Sequence, residues 1–153
     1  MKIAFDENMP PVMASVFQTL AKESGILKAE IVLASSYRPI HERGDEHWAR
    51  RFAADGGDVV VSGDTRMRSR LHELAALVEC GLITYFFERR WSDVNFFTKS
   101  AMLLHSWTPV RKHMDTAPKG TCWEIPYSWT WKELENVSAD PKAITPTKPK
   151  KTG

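Results

Sequence analysis

Only two cysteines occur in the 153 residues, Cys80 near the end of a helical pattern and Cys122 in an expected strand. Two isolated thiols make neither a disulfide framework nor a metal-binding spacing, so a disulfide-stapled scaffold is excluded and both are expected to be reduced and structural. Long apolar runs are missing too. No stretch approaches the roughly 18 consecutive apolar residues of a membrane span, and Met1-Lys2 leads into a strand without a signal-peptide core, which sets the expectation of a cytoplasmic protein. Net charge is scarce: 21 Lys and Arg against 19 Asp and Glu leave +2, which permits an anionic partner without requiring one. The five histidines, His41, His47, His72, His105 and His113, share no ligand spacing, which points away from zinc.

What is present is a core. An apolar content of 42% over this length fits one folded domain, expected over residues 1–138. The Pro- and Lys-rich stretch 139–153 has almost nothing to bury and is expected to be a flexible tail. The organising stretch is Val59-Val60-Val61-Ser62-Gly63-Asp64, echoed at the N-terminus by Ile3-Ala4-Phe5-Asp6. In both, a short β-forming apolar run stops on an aspartate, as a buried parallel strand does when it delivers a carboxylate to the rim of a sheet. The strand-Gly63-Asp64 junction has no evident packing purpose, which favours a functional reading of Asp64.

From the N-terminus, a strand over Lys2 to Phe5 leads through Asp6-Glu7-Asn8-Met9-Pro10-Pro11 into a helix with Met13, Val16, Phe17 and Leu20 at helical spacing and Gly25 as terminator. A second strand is expected over Ala29 to Ala34, followed by about ten irregular polar residues, long for an α/β connection. Asp45 opens a second helix with Trp48, Ala49, Phe52 and Ala53 on one face, closed by Gly56-Gly57. The third strand covers Asp58 to Ser62. Leu71, Leu74, Ala75 and Val78 then mark a helix ended by Gly81, and Leu82 to Phe87 a fourth strand. Ser92-Asp93 is expected to cap a further helix that buries Val94, Phe97, Ala101, Leu104 and Trp107, with regularity weakening after Pro109. Trp123, Ile125, Tyr127, Trp129 and Trp131 alternate at period two, and Pro126 limits that run to an edge strand or a broken pair. These aromatics suit burial against the sheet or a homodimer contact better than stacking on bases.

The β-α alternation implies an α/β fold: a mostly parallel sheet with right-handed crossovers and helices on both faces. With the second strand on one side of the first and the third on the other, the topological switch point falls between strands one and three. Asp6 and Asp64 then flank the crevice, and Asp45 starts a helix on the same side. Like charges at about 4 Å repel by roughly 4 kcal/mol at an effective dielectric near 20, so gathered carboxylates call for a cation or for protons. Oxygen-only ligation points to Mg²⁺ or Mn²⁺, and with it to phosphodiester or phosphoryl-transfer chemistry. Arg66, Arg68 and Arg70 follow the acidic site and suit RNA phosphates, although a solvated face explains them equally well. A receiver-like domain also gathers acids on such a rim, but usually carries a lysine after a later strand, where this chain has Glu88-Arg89-Arg90.

Three features in order, the strand ending on Asp6, the helix opened by Asp45 with Ala53-Ala54 and glycine before the next strand, and Ser62-Gly63-Asp64 in place of a Thr-x-Asp, resemble the PIN domain family. The likeness is greatest to the small PIN-like ribonucleases of VapC-type toxin-antitoxin pairs, and covers roughly Met1 to Phe87. It implies a PIN-like three-layer sandwich and a Mg²⁺- or Mn²⁺-dependent endoribonuclease with Asp6, Asp45 and Asp64 as catalytic metal ligands. It further implies that Ser62 supports the site through its hydroxyl, with an RNA substrate and an antitoxin partner; Ser62, with Arg66 and Arg68 for their fit to phosphates, is assigned to the substrate side of the site. The family commonly has another acid, often glutamate, between the residues matched by Asp6 and Asp45. Of Glu7, Glu23, Glu30 and Glu42, Glu7 is the candidate substitute, and a catalytically inert binding module on the same fold is the competing expectation.

Overall fold

Strands that are apolar on both sides need cover on both faces, and the computed structural model supplies it with two helices above and two below one sheet. It describes residues 1–6, 8–24, 28–38, 45–128 and 134–136; the side chains of residues 24, 45–47, 68 and 135 also lie outside the described set. The strands are β1 (Lys2–Phe5), β2 (Glu30–Leu33), β3 (Val59–Ser62), β4 (Ile83–Phe87), β5 (Cys122–Ile125) and β6 (Glu135–Asn136). The helices are α1 (Pro11–Ser24), α2 (Asp45–Ala54), α3 (Leu71–Glu79) and α4 (Phe96–Thr116). Among the described residues the sheet order is β2-β1-β3-β4-β5-β6. The first five strands are parallel and β6 runs antiparallel to β5. The fold is the expected α/β sandwich, with the switch point between β1 and β3.

Side-chain alternation divides the core cleanly. Ile3, Phe5, Val59, Val61, Tyr85 and Phe87 face α1, through Met13 and Phe17, and α4, through Met102, Leu103, Trp107 and Val110. Ala4 and Val60 face Trp48, Ala49 and Phe52 of α2 and Leu77 of α3. Phe17 and Trp107 meet at 4.4 Å between ring centres, so α1 and α4 are neighbours.

This division corrects the expectation of uniformly right-handed crossovers. The step from β1 to β2 goes one way under α1, and the steps β2 to β3 and β3 to β4 go the other way under the opposite face, so these three share a hand. The step from β4 to β5 continues in the second direction but crosses on the α1 face, and therefore has the opposite hand. The reason lies in coverage. α1 alone cannot shield the apolar face of β3, β4 and β5, and α4, at 1.5 Å per residue roughly 32 Å long, is the element that does.

α4 also departs from its expected cap and stripe. Asn95, not Ser92-Asp93, caps it, accepting a 2.9 Å hydrogen bond from the Thr98 amide; residues 89–93 form a 3-10 turn. The buried stripe is Met102, Leu103, Trp107, Val110, Arg111 and Met114, while Phe97 is 80% exposed and Leu104 is also outside. The helix continues through Pro109 to Thr116. An interior proline costs about 3 kcal/mol, and burial of several large side chains, roughly 1.5–3 kcal/mol each, outweighs it. Arg111 is buried because its guanidinium reaches the Asp115 carboxylate at 2.6 Å and the Lys28 carbonyl at 2.8 Å. On α1, Met13 and Phe17 are buried as expected, whereas Val16 and Leu20 face outward.

Both cysteines are free thiols, Cys122 buried in β5 and its pKa pushed up to about 12 by that burial. β5 stops before Pro126, and Trp129, Trp131, Gly25 and the expected tail lie outside the described residues. Among the described residues, no helix is long and apolar enough to cross a membrane.

Candidate active site

At the carboxyl ends of β1 and β3 the chain turns sharply twice, and the two turns are fitted to each other. Asp6 follows β1, and its amide donates to the Val61 carbonyl at 3.1 Å, which extends the ladder one residue beyond the strand. Its Oδ1 accepts the amides of Asn8 at 3.0 Å and Gly63 at 3.2 Å. Its Oδ2 accepts the hydroxyl proton of Ser62. Asp64 is linked to the same hydroxyl, since its amide donates to Ser62 Oγ at 3.1 Å, while its Oδ1 accepts the Arg66 amide at 2.8 Å. One buried serine thus ties the two aspartates into a single unit.

Gly63 is what permits the approach. A Cβ there would stand 2.7 Å from the Asn8 carbonyl carbon and closer still to its oxygen, and backbone cannot move aside cheaply. The junction therefore does have a packing purpose, contrary to expectation: it lets the loop after β1 lie against the end of β3. The same contact brings Asp6 and Asp64 to one rim.

The electrostatics are those of a crowded, partly desolvated pocket. Burial is the leading influence on Asp6 and raises its pKa above the ordinary value, with the bonds from Ser62, Gly63 and Asn8 opposing it. Asp64 is 9% exposed, and its Oδ2 has no aligned hydrogen-bond donor. What stands against that oxygen is Arg70 Nε, an ion pair at 2.7 Å that lacks hydrogen-bond alignment. Arg70 also reaches Glu73 Oε1 at 3.2 Å. Glu73 first, then Asp64, raise the Arg70 pKa further, and Asp6 adds to the effect.

A cavity of about 240 Å³ opens here, lined by Asp6, Asn8, Arg38, Trp48, Val60, Met67, Arg70, Glu73 and Leu77. A wider groove of about 600 Å³ lies at the opposite, amino ends of the strands, around Met1, Lys2, Lys28 and Asp58. Its size does not make it the site: Asp55 there is already paired to Lys2 at 2.6 Å and to the Tyr37 hydroxyl at 2.5 Å.

Of the expected site residues, Asp6, Ser62 and Asp64 come together. Asp45 is the first residue of α2, whose Trp48 lines the cavity, but the Asp45 side chain and Glu7 lie outside the described residues. Ser62, expected to support the site through its hydroxyl, has no solvent exposure, donates to the Asp6 carboxylate and accepts the Asp64 amide. Arg66 contributes its amide while its side chain is exposed, and Arg68 sits in the 3-10 turn Met67–Ser69 with its side chain undescribed. Arg38, Arg70 and Glu73 are the additional charged groups among the residues that line the cavity, and Arg70 and Glu73 are the two paired with each other and, through Arg70, with Asp64. Their part was not readable from spacing, because the turn over residues 67–69 decides where Arg70 points.

A buried carboxylate oxygen that meets only a misaligned arginine, on the same rim as the Asp6 carboxylate, has the hard oxygen chemistry that suits a divalent cation. Among the described residues no three His, Cys, Asp or Glu gather closely enough to hold one. Of the three expected ligands, Asp6 and Asp64 stand at one rim, and the Asp45 side chain lies outside the described residues.

The family model for a PIN-like domain matches residues 1–89, more than half of the chain. The chain belongs to the PIN-like domain family. The matched segment runs from β1 to just past β4 and holds every group at the carboxylate rim. Comparison with curated proteins and with solved structures gives no match.

Proposed function

We propose that this PIN-like protein is a metal-dependent endoribonuclease of the VapC toxin type, hydrolysing RNA phosphodiester bonds. The observation that carries the reading is the Asp6-Ser62-Asp64 unit at the switch point, with a desolvated carboxylate on each strand end. Asp6 and Asp64, with Asp45 as third ligand, would hold Mg²⁺ or Mn²⁺, which when bound would supply Lewis-acid stabilisation of phosphate charge and lower the pKa of a water so that its hydroxide attacks phosphorus. Ser62 keeps Asp6 oriented by its proton and Asp64 by its lone pair. The amides of Asn8 and Gly63 fix the other Asp6 oxygen, so this carboxylate keeps one orientation without relying on solvent. Arg66, exposed next to Asp64, is placed to meet a backbone phosphate. An adjacent antitoxin would be the natural partner in such a system.

The second reading is an inert PIN-like module that binds RNA or protein without cutting. The Arg70–Asp64 ion pair favours it, because an internal cation already neutralises the carboxylate. Cleavage of single-stranded RNA in Mn²⁺, with Asp6→Asn and Asp64→Asn as controls, separates the two. Hydrolysis that both substitutions abolish supports the nuclease. Intact RNA in the presence of well-folded wild type and Mn²⁺ rejects it.

A further inference from the structure

Arg70 is the group that the acidic rim leaves unexplained. Its guanidinium spans two carboxylates, Asp64 through Nε and Glu73 through Nη1. The two contacts differ in kind. The Glu73 pair is a hydrogen bond on the first turn of α3, made three residues along the chain. The Asp64 pair is short but misaligned, and it leaves Oδ2 formally without a donor in a place water does not reach. An ion pair of that geometry is held by charge more than by direction, and another cation can substitute for it.

Exposure is asymmetric as well. Asp64 is almost wholly buried, whereas the Arg70 side chain is 48% exposed. The carboxylate cannot follow its partner outward, because Ser62 and the Arg66 amide fix its residue at both ends. The arginine can leave, because Glu73, which lines the same cavity as Arg70, offers it a second anchor. A divalent ion arriving at Asp64 Oδ2 meets a guanidinium on that oxygen, and the two positive charges cannot share it.

We propose that Arg70 is an exchangeable internal counter-ion of the acidic rim, which holds Asp64 Oδ2 until a divalent cation displaces it toward Glu73 and which thereby sets the metal affinity of the site. The inference rests on the metal-dependent reading above. It makes Arg70 a positioning residue for Asp64 whose removal strengthens, rather than weakens, metal binding. It also accounts for a desolvated carboxylate pair that persists without like-charge repulsion opening the rim.

The test is calorimetric titration of Mn²⁺ into wild type, Arg70→Gln, Arg70→Lys and Arg66→Gln, with thermal unfolding of each in chelator and in Mn²⁺. Arg70→Gln is expected to bind Mn²⁺ about tenfold more tightly. It should melt lower than wild type in chelator and gain more from Mn²⁺. Arg70→Lys keeps the charge but cannot span both carboxylates, and its affinity should fall between the two. Arg66→Gln removes the charge of a residue linked to Asp64 through its backbone amide, and should bind as wild type does. Equal or weaker binding by Arg70→Gln overturns the proposal and leaves the metal site standing. The same holds if Arg66→Gln strengthens binding as much, or, should only the lysine variant fold, if its affinity does not exceed that of wild type. Absence of Mn²⁺ binding in every variant overturns the proposal and the metal-dependent reading together.

Discussion

Both ends of this sheet carry a pair of aspartates, and the difference between them is instructive. At the amino ends, Asp58 Oδ2 accepts the Lys2 amide at 2.8 Å in a part-buried bond, and Asp55, 59% exposed, is paired with the Lys2 ammonium. At the carboxyl ends, Asp6 and Asp64 are drawn inward onto one buried hydroxyl and a few amides, with Arg70 paired to Asp64. The amino-end acids fasten β1 to its neighbours. The carboxyl-end acids carry a desolvation cost that no fastening requires, and such costs collect where chemistry is done. Acidity is common to both ends, and burial is what distinguishes the site.

The largest effect that can break this comparison is on catalysis. Asp6→Asn or Asp64→Asn is expected to lower Mn²⁺-dependent RNA cleavage by at least ~10²-fold, since even outer-shell partners of a metal cost 10–100-fold. Asp55→Asn and Asp58→Asn should stay within about twofold of wild type, because neither approaches the rim. Time courses on one labelled RNA measure all four. A loss shared by both pairs would mean that the amino-end groove, and not the switch point, does the chemistry.

Ser62→Ala comes next. It removes the donor to Asp6 Oδ2 and the acceptor for the Asp64 amide in one step. Cleavage should fall by about 10–100-fold, and stability by about 1–3 kcal/mol for buried polar groups left unmatched. Chemical denaturation and the cleavage assay read the two losses separately. Unchanged activity with the stability loss present would reduce Ser62 to a structural tie.

How much of this was legible in the sequence depends on whether local pattern or a distant partner decides. β1 and β3 could be read because residues apolar on both faces stand out in any window, and a terminal aspartate marks the rim. The switch point followed from strand order. The α4 stripe could not be read, because Phe5 and Phe17 choose Trp107 from distant parts of the chain on the same face of the sheet, while Pro109 and Ser92-Asp93 argued locally for other boundaries. Gly63 seemed idle until Asn8, 55 positions earlier, was found against it. Arg70 was one of three equivalent arginines in sequence, and only the turn before α3 separates it from Arg66. Burial of an aspartate, the property that separates the two ends of the sheet, is a tertiary quantity with no local signature.

That burial predicts opposite signs of stability change at the two ends. The folded-state pKa of Asp6 lies above the ordinary carboxylate value of 3.8 because the group is buried, so the folded chain holds this proton more tightly than the unfolded one. Stability therefore falls as pH rises from about 3.8 through the raised value, and above that window the buried charge is a standing cost. Asparagine keeps an acceptor for the two amides and carries no charge. In chelator at neutral pH, Asp6→Asn is expected to be more stable by about 0.5–2 kcal/mol, with the gain disappearing below the window. Asp58→Ala should instead lose about 0.5–1.5 kcal/mol, the value of the hydrogen bond to the Lys2 amide. Unfolding curves across pH decide the matter, and a pH-independent loss in Asp6→Asn would show that Asp6 is a turn residue with no desolvation to relieve.

The smallest effect belongs to Asp55. Its pKa is lowered, first by the Lys2 hydrogen bond and then by that of the Tyr37 hydroxyl, which assigns it some stability that is present above its unfolded pKa and lost as pH falls through the folded one. The carboxylate is fully open to solvent and to salt, however, so water and counter-ions replace most of what Lys2 provides. Asp55→Asn should leave the melting temperature unchanged within error at physiological ionic strength, with a small loss emerging near 0.01 M, where screening reaches only over ~30 Å. Parallel melts at the two salt concentrations test this. A loss that is large and indifferent to salt would mean that Lys2, Tyr37 and Asp55 behave as a buried network. The amino-end groove would then share the property that singles out the carboxyl-end rim, and burial alone could no longer tell one end from the other.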